Sequence, residues 1–435
     1  MNTSKPNTSS FLRWAALAAS LAVATISYAQ PVDTSAPVAM EDAPQRLDQG
    51  WLYGTVELDD DRVLTGTLRW DEQEAAWTHH FNGDKARPFD LSALDDADRE
   101  AIESNLPGPR FEINGHVIEL VRWLGSEELQ PQFFSLEFGH IAELEVRGGE
   151  RVRLTLRDGS VLDADGGSDD IGADVEVLTG PGQIEVLDWD SISKIRFHAP
   201  ETAPERFSPY MYGQVQTRNG TFEGFVDWDQ DERYPEDELD GDVDGAEQSI
   251  RFSTIVSIQN EGESSRVELK DGRTLSMSDT NDVNSENRGI VIYMADMGKV
   301  MVPWTAFEKV TYFDPSDNLP SYAEYADYGP INAQVVHNNT TTSGFLVFDL
   351  DQQHQGEMLR GKDAAGIQYE IPWRLIERLT PENNTARVLL KSGRSLTLGK
   401  DPDVTGSNLG IGVKTDGTSV TFIPWESLSD LKVVH

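Results

Sequence analysis

A sixfold pattern of aromatic and apolar residues constrains this 435-residue chain more than any other feature. Each copy has an aromatic residue followed by apolar residues three and six positions later, as in Trp304, Phe307 and Val310. Successive aromatic anchors lie 51, 63, 52, 69 and 52 residues apart, at Phe138, Trp189, Phe252, Trp304, Trp373 and Trp425. Because self-similarity at a regular interval is the signature of repeat architectures, this alternation predicts six units in three tandem pairs.

Four of the units also contain a hairpin signal. Asp271-Gly272 follows an alternating apolar run that contains Val267 and Leu269. The corresponding turn sequences are Asp158-Gly159, Asn219-Gly220 and Ser392-Gly393. Asp-Gly and Asn-Gly between such runs predict tight β-hairpins, because the turn needs positive φ angles that these residues tolerate.

Two further motifs distinguish the members of a pair. First members end an apolar run with an aromatic residue and an aspartate, in Trp70-Asp71, Trp228-Asp229 and Phe348-Asp349. Second members have an aspartate followed five residues later by Asn-x-Gly, in Asp282 with Asn287 and in Asp403 with Asn408. The first pair has a weaker form of this motif around Asp170.

A hairpin with a glycine turn, a polar loop and a strand that turns once before a last strand resembles the small Sm-like and SH3-like β-barrels. The resemblance rests on Val267, Leu269, Asp271-Gly272, Leu275, Asp282, Asn287, Trp304, Phe307 and Val310. It implies an all-β fold of six small barrel units. Sm-like proteins would further imply RNA binding, but Pro303-Trp304 and its equivalents replace the Arg-Gly that usually opens the last motif. We therefore expect the barrel without nucleic-acid binding.

These patterns predict the following organisation, with proline-rich linkers where the spacing lengthens. It runs as signal peptide 1–29, flexible leader 30–49, first pair 50–198 (units 50–147 and 148–198), linker 199–211, second pair 212–313 (units 212–263 and 264–313), linker 314–330, and third pair 331–435 (units 331–384 and 385–435). The sequence leaves open whether the units form separate barrels, fused pairs or a closed ring, and it leaves the oligomeric state open.

The first pair contains an insertion at residues 85–130. Within it, residues 90–106 have Leu91, Leu94, Ile102 and Leu106 at helix-compatible spacing behind Asp90, a residue type that caps helices. This predicts one short helix.

The amino terminus predicts export. Lys5 and Arg13 precede an apolar run at residues 14–26, and small residues at Ser27 and Ala29 form a cleavage site. The run is shorter than a membrane span, and no later run is longer, so no span is expected after signal removal. The chain has no cysteine, which excludes thiol chemistry. We expect a periplasmic or secreted protein.

The acidic net charge limits the classes of molecule that the protein is expected to bind. The net charge is −39, and removal of two basic signal residues makes it −41. Such a surface repels nucleic acid and anionic lipid and attracts cations or basic partners. An adaptation for solubility or high salt is the favoured explanation of the charge, and a specific electrostatic role is the alternative.

The best metal candidate is the acidic stretch that runs from Asp227-x-Asp229-x-Asp231 through Asp240-x-Asp242-x-Asp244-Gly245, with Asp240, Asp242 and Asp244 as the expected ligands. Alternate aspartates beside a glycine can bring several oxygens to one Ca²⁺, so calcium is the candidate cofactor. The spacing matches the first half of an EF-hand loop, but Arg251 stands where a bidentate Glu is required. The alternative is a solvated acidic turn between strands.

The tryptophans and histidines suggest two more hypotheses. The tryptophans at repeat-equivalent positions are expected in the core, whereas Trp77 and Trp123 lie outside the pattern and are candidates for a sugar-binding surface. His79, His80 and His116 are candidates for a hydrolase site in the first pair.

The sequence as a whole favours a non-enzymatic scaffold or binding protein of the cell envelope or extracellular space, with a protein or glycan partner. The alternatives are a calcium-assisted carbohydrate-binding protein and a hydrolase.

Overall fold

The computed structural model describes residues 47–85, 98, 110–113, 116–119, 132–166, 170–314, 319–415 and 420–434. Antiparallel β-strands and short 3-10 turns make up the regular structure of these residues. The helix predicted within residues 90–106 lies outside them, apart from Asp98, whose backbone is helical. No helix in the described part of the chain is long and apolar enough to cross a membrane.

The strands fall into three segments that follow the predicted pairs. Segment 1 (residues 50–198) contains β1 Tyr53–Leu58, β2 Val63–Trp70, β3 His80–Lys85, β4 Arg110–Ile113, β5 His116–Glu119, β6 Gln132–Glu137, β7 Ile141–Val146, β8 Arg151–Leu156, β9 Val161–Asp165, β10 Val175–Gly180, β11 Gln183–Leu187 and β12 Ile192–Phe197. Segment 2 (residues 212–313) contains β13 Tyr212–Thr217, β14 Gly220–Asp227, β15 Glu238–Val243, β16 Ala246–Arg251, β17 Ile255–Asn260, β18 Ser264–Leu269, β19 Thr274–Ser278, β20 Ile290–Met294, β21 Gly298–Val302 and β22 Phe307–Tyr312. Segment 3 (residues 331–435) contains β23 Asn332–His337, β24 Thr340–Phe348, β25 Met358–Lys362, β26 Gln368–Pro372, β27 Ile376–Glu382, β28 Thr385–Leu390, β29 Ser395–Gly399, β30 Ile411–Lys414, β31 Val420–Ile423 and β32 Leu428–Val434.

The three segments share one strand order. In segment 1 it is β11-β10-β2-β1-β12-β7-β8-β9-β3-β6. The pairings in segment 2 give β21-β20-β14-β13-β22-β17-β18-β19-β15-β16. Those in segment 3 give β31-β30-β24-β23-β32-β27-β28-β29-β25-β26. Each of these ten strands therefore has a structural equivalent in the other two segments, whereas β4 and β5 of the insertion pair only with each other among the described strands.

Strands are exchanged between the two halves of each segment. In segment 1, β1 and β2 pair with β12 and β10, which come from the second half. Conversely, β8 and β9 of the second half pair with β7 and β3 of the first. Each group of five strands therefore takes a hairpin from one half and three strands from the other. The apolar faces of the two halves are therefore covered jointly.

The predicted hairpins and core anchors are confirmed. Gly272 has φ +89° in the turn between β18 and β19, the positive value that the Asp-Gly signal predicts. The six anchors are at most 6% exposed and lie in the turn before the last strand of each unit, at Phe138, Trp189, Phe252, Trp304, Trp373 and Trp425. Bulky apolar residues at equivalent buried positions indicate core packing rather than ligand binding.

The linkers and the end of the leader are packed against the segments. Tyr322 and Tyr325 of the second linker belong to the core of segment 1. Tyr210 of the first linker stacks on Trp51 with ring centroids 5.4 Å apart. The expectation of a flexible leader up to residue 49 needs correction, because Asp48 is buried and accepts hydrogen bonds from the Trp77 indole and the Tyr322 N–H.

Candidate functional site

The predicted calcium ligands lie on a β-hairpin. Asp240 and Asp242 are alternate residues of β15, and Asp244 lies with Gly245 in the two-residue turn between β15 and β16. Asp244 and Gly245 have φ angles of 52° and 79°, as the tight turn requires. The spacing that resembles half of an EF-hand is therefore produced by strand alternation and a turn.

The carboxylates that come together lie at the beginning of the same acidic stretch. Among the described residues, the carboxylates of Asp229, Asp231 and Glu232 are the only set of three potential metal ligands whose atoms lie within 4.8 Å of one another. Asp240, Asp242 and Asp244 do not form such a set. The reason is that a strand holds alternate side chains side by side, whereas a calcium site needs oxygens arranged around one point.

Arg288 lies where a cation would bind in this group. Its side chain forms ion pairs with Asp229, at 3.2 Å, and with Asp231. Asp229 is buried and also accepts hydrogen bonds from the Arg288 N–H and the Asn281 amide. Burial, with Asp282 and Asp231 close by, raises the pKa of Glu232 to about 9, so this carboxyl is neutral at pH 7. The group is thus balanced by a guanidinium, and Arg288 would have to move for a metal ion to bind.

The aspartates of the second repeat motif have a structural role. Asp282 accepts a hydrogen bond from the Asp240 N–H at 2.8 Å, and its carbonyl accepts one from the Trp228 indole at 3.0 Å. In segment 1 the Asp170 carboxylate accepts a hydrogen bond from the Asn82 N–H, and the Asp170 carbonyl accepts one from the Trp70 indole. Burial raises the pKa of Asp170 to about 7 and that of Asp282 to about 6. These carboxylates fasten one half of a segment to the other.

Asp403 completes the set in segment 3. It accepts hydrogen bonds from the Arg360 N–H and the Gln352 amide. Phe348 stands where the other segments have Trp70 and Trp228, so no indole is present there to donate to the aspartate carbonyl. Instead, the Gln352 side chain donates a hydrogen bond to Asp403 and accepts one from the Trp373 indole. The same carboxylate position is therefore kept while the surrounding contacts are rebuilt.

The predicted sugar-binding tryptophans do not form a surface in the described residues. Trp77 is fully buried; its indole packs 4.5 Å from the Tyr322 ring and donates a hydrogen bond to Asp48. A buried indole cannot stack on a sugar, so the assignment of Trp77 is corrected to core packing. Trp123 lies outside the described residues.

His79 and His80 are also buried, at 2% exposure each. The Nδ1 atom of His79 accepts a hydrogen bond from the Ala75 N–H at 3.3 Å. Asp237 and Glu357 hold the equivalent loops of segments 2 and 3 in the same way with carboxylates. Burial, with Arg233 close by, keeps the pKa of His79 well below its usual value. His79 therefore acts as a neutral hydrogen-bond acceptor that shapes a loop.

The side chains of His79 and His80 are both inaccessible to a substrate in solution. His80 lies 3.4 Å from the Glu370 carboxylate and 3.0 Å from the Ser135 hydroxyl. His116 belongs to β5, whose backbone is described.

A buried polar joint connects segments 1 and 3. Arg374 donates two hydrogen bonds to Glu137, at 2.5 and 2.6 Å, and both residues are buried. Burial alone would raise the pKa of Glu137, but the guanidinium of Arg374 outweighs it and holds the pKa at about 2. His140 lies 3.3 Å from Glu137, and its ring centroid is 5.1 Å from that of His354.

Two lysines, of which Lys85 is buried and Lys299 is partly exposed, form further charged contacts between segments. Lys85, at the end of β3, forms ion pairs with Asp351, at 2.7 Å, and with Glu357 of segment 3. Lys299 of segment 2 lies 3.9 Å from Glu370 of segment 3. Although burial opposes a charged lysine, the neighbouring carboxylates raise the pKa of both amines. Each segment thus contributes charge to the contacts between segments.

Sequence reasoning missed the residues of this joint. Glu137, Arg374 and Lys85 belong to no repeated motif, because their partners lie in another segment. One signal was available: His140 stands where Thr254 and Ala306 occupy the equivalent positions, and a residue that differs between repeats is a candidate for contacts between them.

An open groove of about 800 Å³ lies on segment 2. Its lining has both charge signs and includes Arg218, Asn260, Glu263, Trp304, Glu308 and Lys309. The Trp304 side chain is only 6% exposed, so polar groups supply most of the surface that a ligand would meet.

Comparisons with known proteins give no family. No protein-family model and no curated protein matches the chain. Among solved structures, a chain titled "Streptogramin B lyase structure" aligns at 10% sequence identity over 82% of this chain and 99% of that chain, with a TM-score of 0.13. A likeness this low carries no argument about fold or function.

Proposed function

We propose that this protein is an exported, non-enzymatic scaffold of the cell envelope or extracellular space that binds a cationic protein. In this proposal each group of five strands is a small barrel of the Sm-like or SH3-like kind. Six barrels, exchanged two by two, then form three pairs. The observation that carries the proposal is the buried ion pair between Glu137 and Arg374, which joins the first and third segments.

Buried charges of this kind favour one arrangement of the segments. A buried carboxylate or guanidinium that loses its partner is costly, so any arrangement that separates Glu137 from Arg374 is disfavoured. Strand β21 of segment 2 also pairs with β26 of segment 3, which adds backbone hydrogen bonds. A scaffold needs this kind of fixed geometry because its binding surfaces must keep their relative positions.

The acidic surface supplies the chemistry for the partner. The chain has 75 acidic and 36 basic residues, and several of the basic ones are consumed in buried pairs. Exposed carboxylates such as Asp240 and Asp244 remain available to basic side chains. Charge complementarity of this type raises association rates and is weakened by salt.

A second candidate, calcium-assisted carbohydrate binding, is favoured by the convergence of Asp229, Asp231 and Glu232. It requires that Ca²⁺ displace Arg288 from these carboxylates. Calcium binds to six to eight oxygen ligands, so the bound sugar or water would have to supply those that the three side chains lack.

Affinity capture distinguishes the two candidates. The purified protein is immobilised and exposed to envelope and medium fractions of its own organism, with and without a calcium chelator, and both proteins and glycans are identified. Cationic proteins that are released by salt and are indifferent to chelator support the scaffold. Glycans that are captured only without chelator overturn it in favour of the second candidate.

Two matched variants locate the interaction. The triple variant Asp240→Asn/Asp242→Asn/Asp244→Asn removes three charges from the exposed hairpin and leaves Asp229 and Asp231 intact. The variant Asp229→Asn/Asp231→Asn removes two charges from the other acidic group and leaves Asp240, Asp242 and Asp244 intact. Loss of capture in the first variant alone supports a cationic partner at the hairpin, whereas loss in the second alone supports the cation site.

A further inference from the structure

The contact between segments 2 and 3 shows how this fold accepts a neighbouring strand. The edge strand β21 pairs with β26, with Lys299 opposite Glu370, Val300 opposite Tyr369 and Met301 opposite Gln368. The side chain of Lys299 is 20% exposed. An edge that would otherwise present unpaired backbone groups is therefore covered from within the same chain.

The equivalent edge of segment 1 is bare. Within the described residues β11 pairs only with β10. Its pairing register places Ile184 at the position of Lys299 and Val186 at that of Met301. Ile184 and Val186 are 49% and 58% exposed. Two apolar residues thus lie on an open strand edge, which is the arrangement that natural proteins usually avoid unless another chain covers it.

A matching free edge exists in segment 2. Strand β16 is the equivalent of β26, and among the described strands it pairs only with β15. Its register places Ser249 at the position of Glu370 and Glu247 at that of Gln368. Both residues are exposed. The third strand of this type, β6, is partly occupied, since Leu136 forms a bridge with Glu357 of segment 3.

The β21–β26 contact and a β11–β16 contact differ in charge at one equivalent pair of positions. In the contact within the chain a lysine at position 299 faces a glutamate at position 370. In a contact between β11 and β16 of the same register, Ile184 would face Ser249. Both charges are absent at this position, and the charged residues of the contact are Glu185, opposite Gln248, and Glu247, opposite Val186.

We infer that β11 of one molecule pairs with β16 of a second copy of this chain. The pairing is antiparallel, in the register of β21 with β26. Because β11 and β16 are different surfaces, the contact is head to tail and leaves one free β11 and one free β16 on a dimer. Each molecule carries a large negative charge, so association strengthens when salt screens the repulsion between copies.

Single cysteines test this register, because the chain has none of its own. The variants Ile184→Cys and Ser249→Cys are mixed and treated with a short thiol-reactive cross-linker at low and at moderate salt. Residues directly opposite in an antiparallel pair have Cβ atoms about 5 Å apart. We expect a mixed dimer whose yield exceeds, several-fold, that of the control Val63→Cys with Ser249→Cys; Val63 is 58% exposed and lies on β2.

Several outcomes would overturn the inference. Dimers of Ile184→Cys with itself in excess would indicate a symmetric contact between β11 strands. A higher yield from Val420→Cys with Ser249→Cys would assign the edge to β31. Sedimentation of the unmodified protein as a monomer at every concentration and salt would also contradict it. If the wild type does associate, Ile184→Lys/Val186→Lys must abolish this while keeping the far-ultraviolet circular dichroism spectrum. The inference is independent of the proposed scaffold function, since it concerns self-association without any captured partner.

Discussion

Arg374 and Glu137 lie 237 residues apart in the sequence and form a two-point ion pair in the interior, with Nε 2.5 Å from Oε2 and Nη2 2.6 Å from Oε1. Glu137 ends β6 of segment 1, and Arg374 lies in the turn after β26 of segment 3. Their contact makes the relation between these two segments depend on a few buried charges.

Replacement of either Glu137 or Arg374 alone should therefore lower the free energy of unfolding. In Glu137→Gln the guanidinium of Arg374 stays buried without a countercharge, and we expect the free energy of unfolding to fall by about 3–5 kcal/mol. Urea denaturation followed by tryptophan fluorescence measures this. The double variant Glu137→Leu/Arg374→Met removes both charges and should lose less than Glu137→Gln. A loss below about 1 kcal/mol in Glu137→Gln, the range of exposed pairs, would contradict the role of the pair.

His354 should make the protein less stable in acid. Burial, together with His140, lowers the pKa of His354 to about 4, below the usual 6.5. Between these values the unfolded chain binds more protons than the folded one, so the unfolding free energy falls as the pH drops from about 6.5 to about 4. The slope from one such group is at most about 1.4 kcal/mol per pH unit.

The variant His354→Asn isolates this contribution. The asparagine oxygen can still accept the Gly356 N–H that His354 Nδ1 accepts at 3.0 Å, but it does not titrate. Compared with the wild type, its unfolding free energy should fall less between pH 6.5 and pH 4. Parallel pH profiles for the two proteins would show that His354 does not titrate on unfolding.

Asp403 should make the protein less stable as the pH rises, which is the opposite of the effect expected for His354. Burial raises the pKa of Asp403 to about 7 from 3.8, so the folded chain binds more protons than the unfolded one between these values. Its contribution to the unfolding free energy is therefore present at low pH and is lost as the pH rises from about 4 to about 7. Asp403→Asn, which imitates the protonated form, should gain stability relative to the wild type over that interval. Urea titrations at pH 4, 6 and 8 test this, and a difference that stays constant with pH would refute it.

Arg288 should limit cation binding by the acidic group of segment 2. In Arg288→Ala the carboxylates of Asp229 and Asp231 lose their ion pairs with the guanidinium. We expect Ca²⁺ to bind at least about tenfold more tightly than to the wild type, because ligand charge sets calcium affinity. Calorimetric titration measures both affinities. Arg273→Ala serves as a control because its partner Asp271 lies outside this group.

Short-range patterns in the sequence predicted a large part of the fold. The all-β class, the Asp-Gly turn before Thr274 and the burial of anchors such as Trp373 were all predicted correctly. Each depends on residues within one unit. The spacing of Asp240, Asp242 and Asp244 suits a loop and a strand equally, and only the pairing of β15 with β16 places these residues on a hairpin.

The sequence alone determined what neighbouring residues can encode, namely where strands begin, which faces are apolar and where the chain turns. The tertiary structure decided which strands pair and what each charged residue does. Strand exchange places β2 beside β10, more than 100 residues later, and nothing local specifies that partner. The same holds for Lys85, Glu137 and Arg374, because the pKa and the role of a buried charge depend on the groups that packing brings against it.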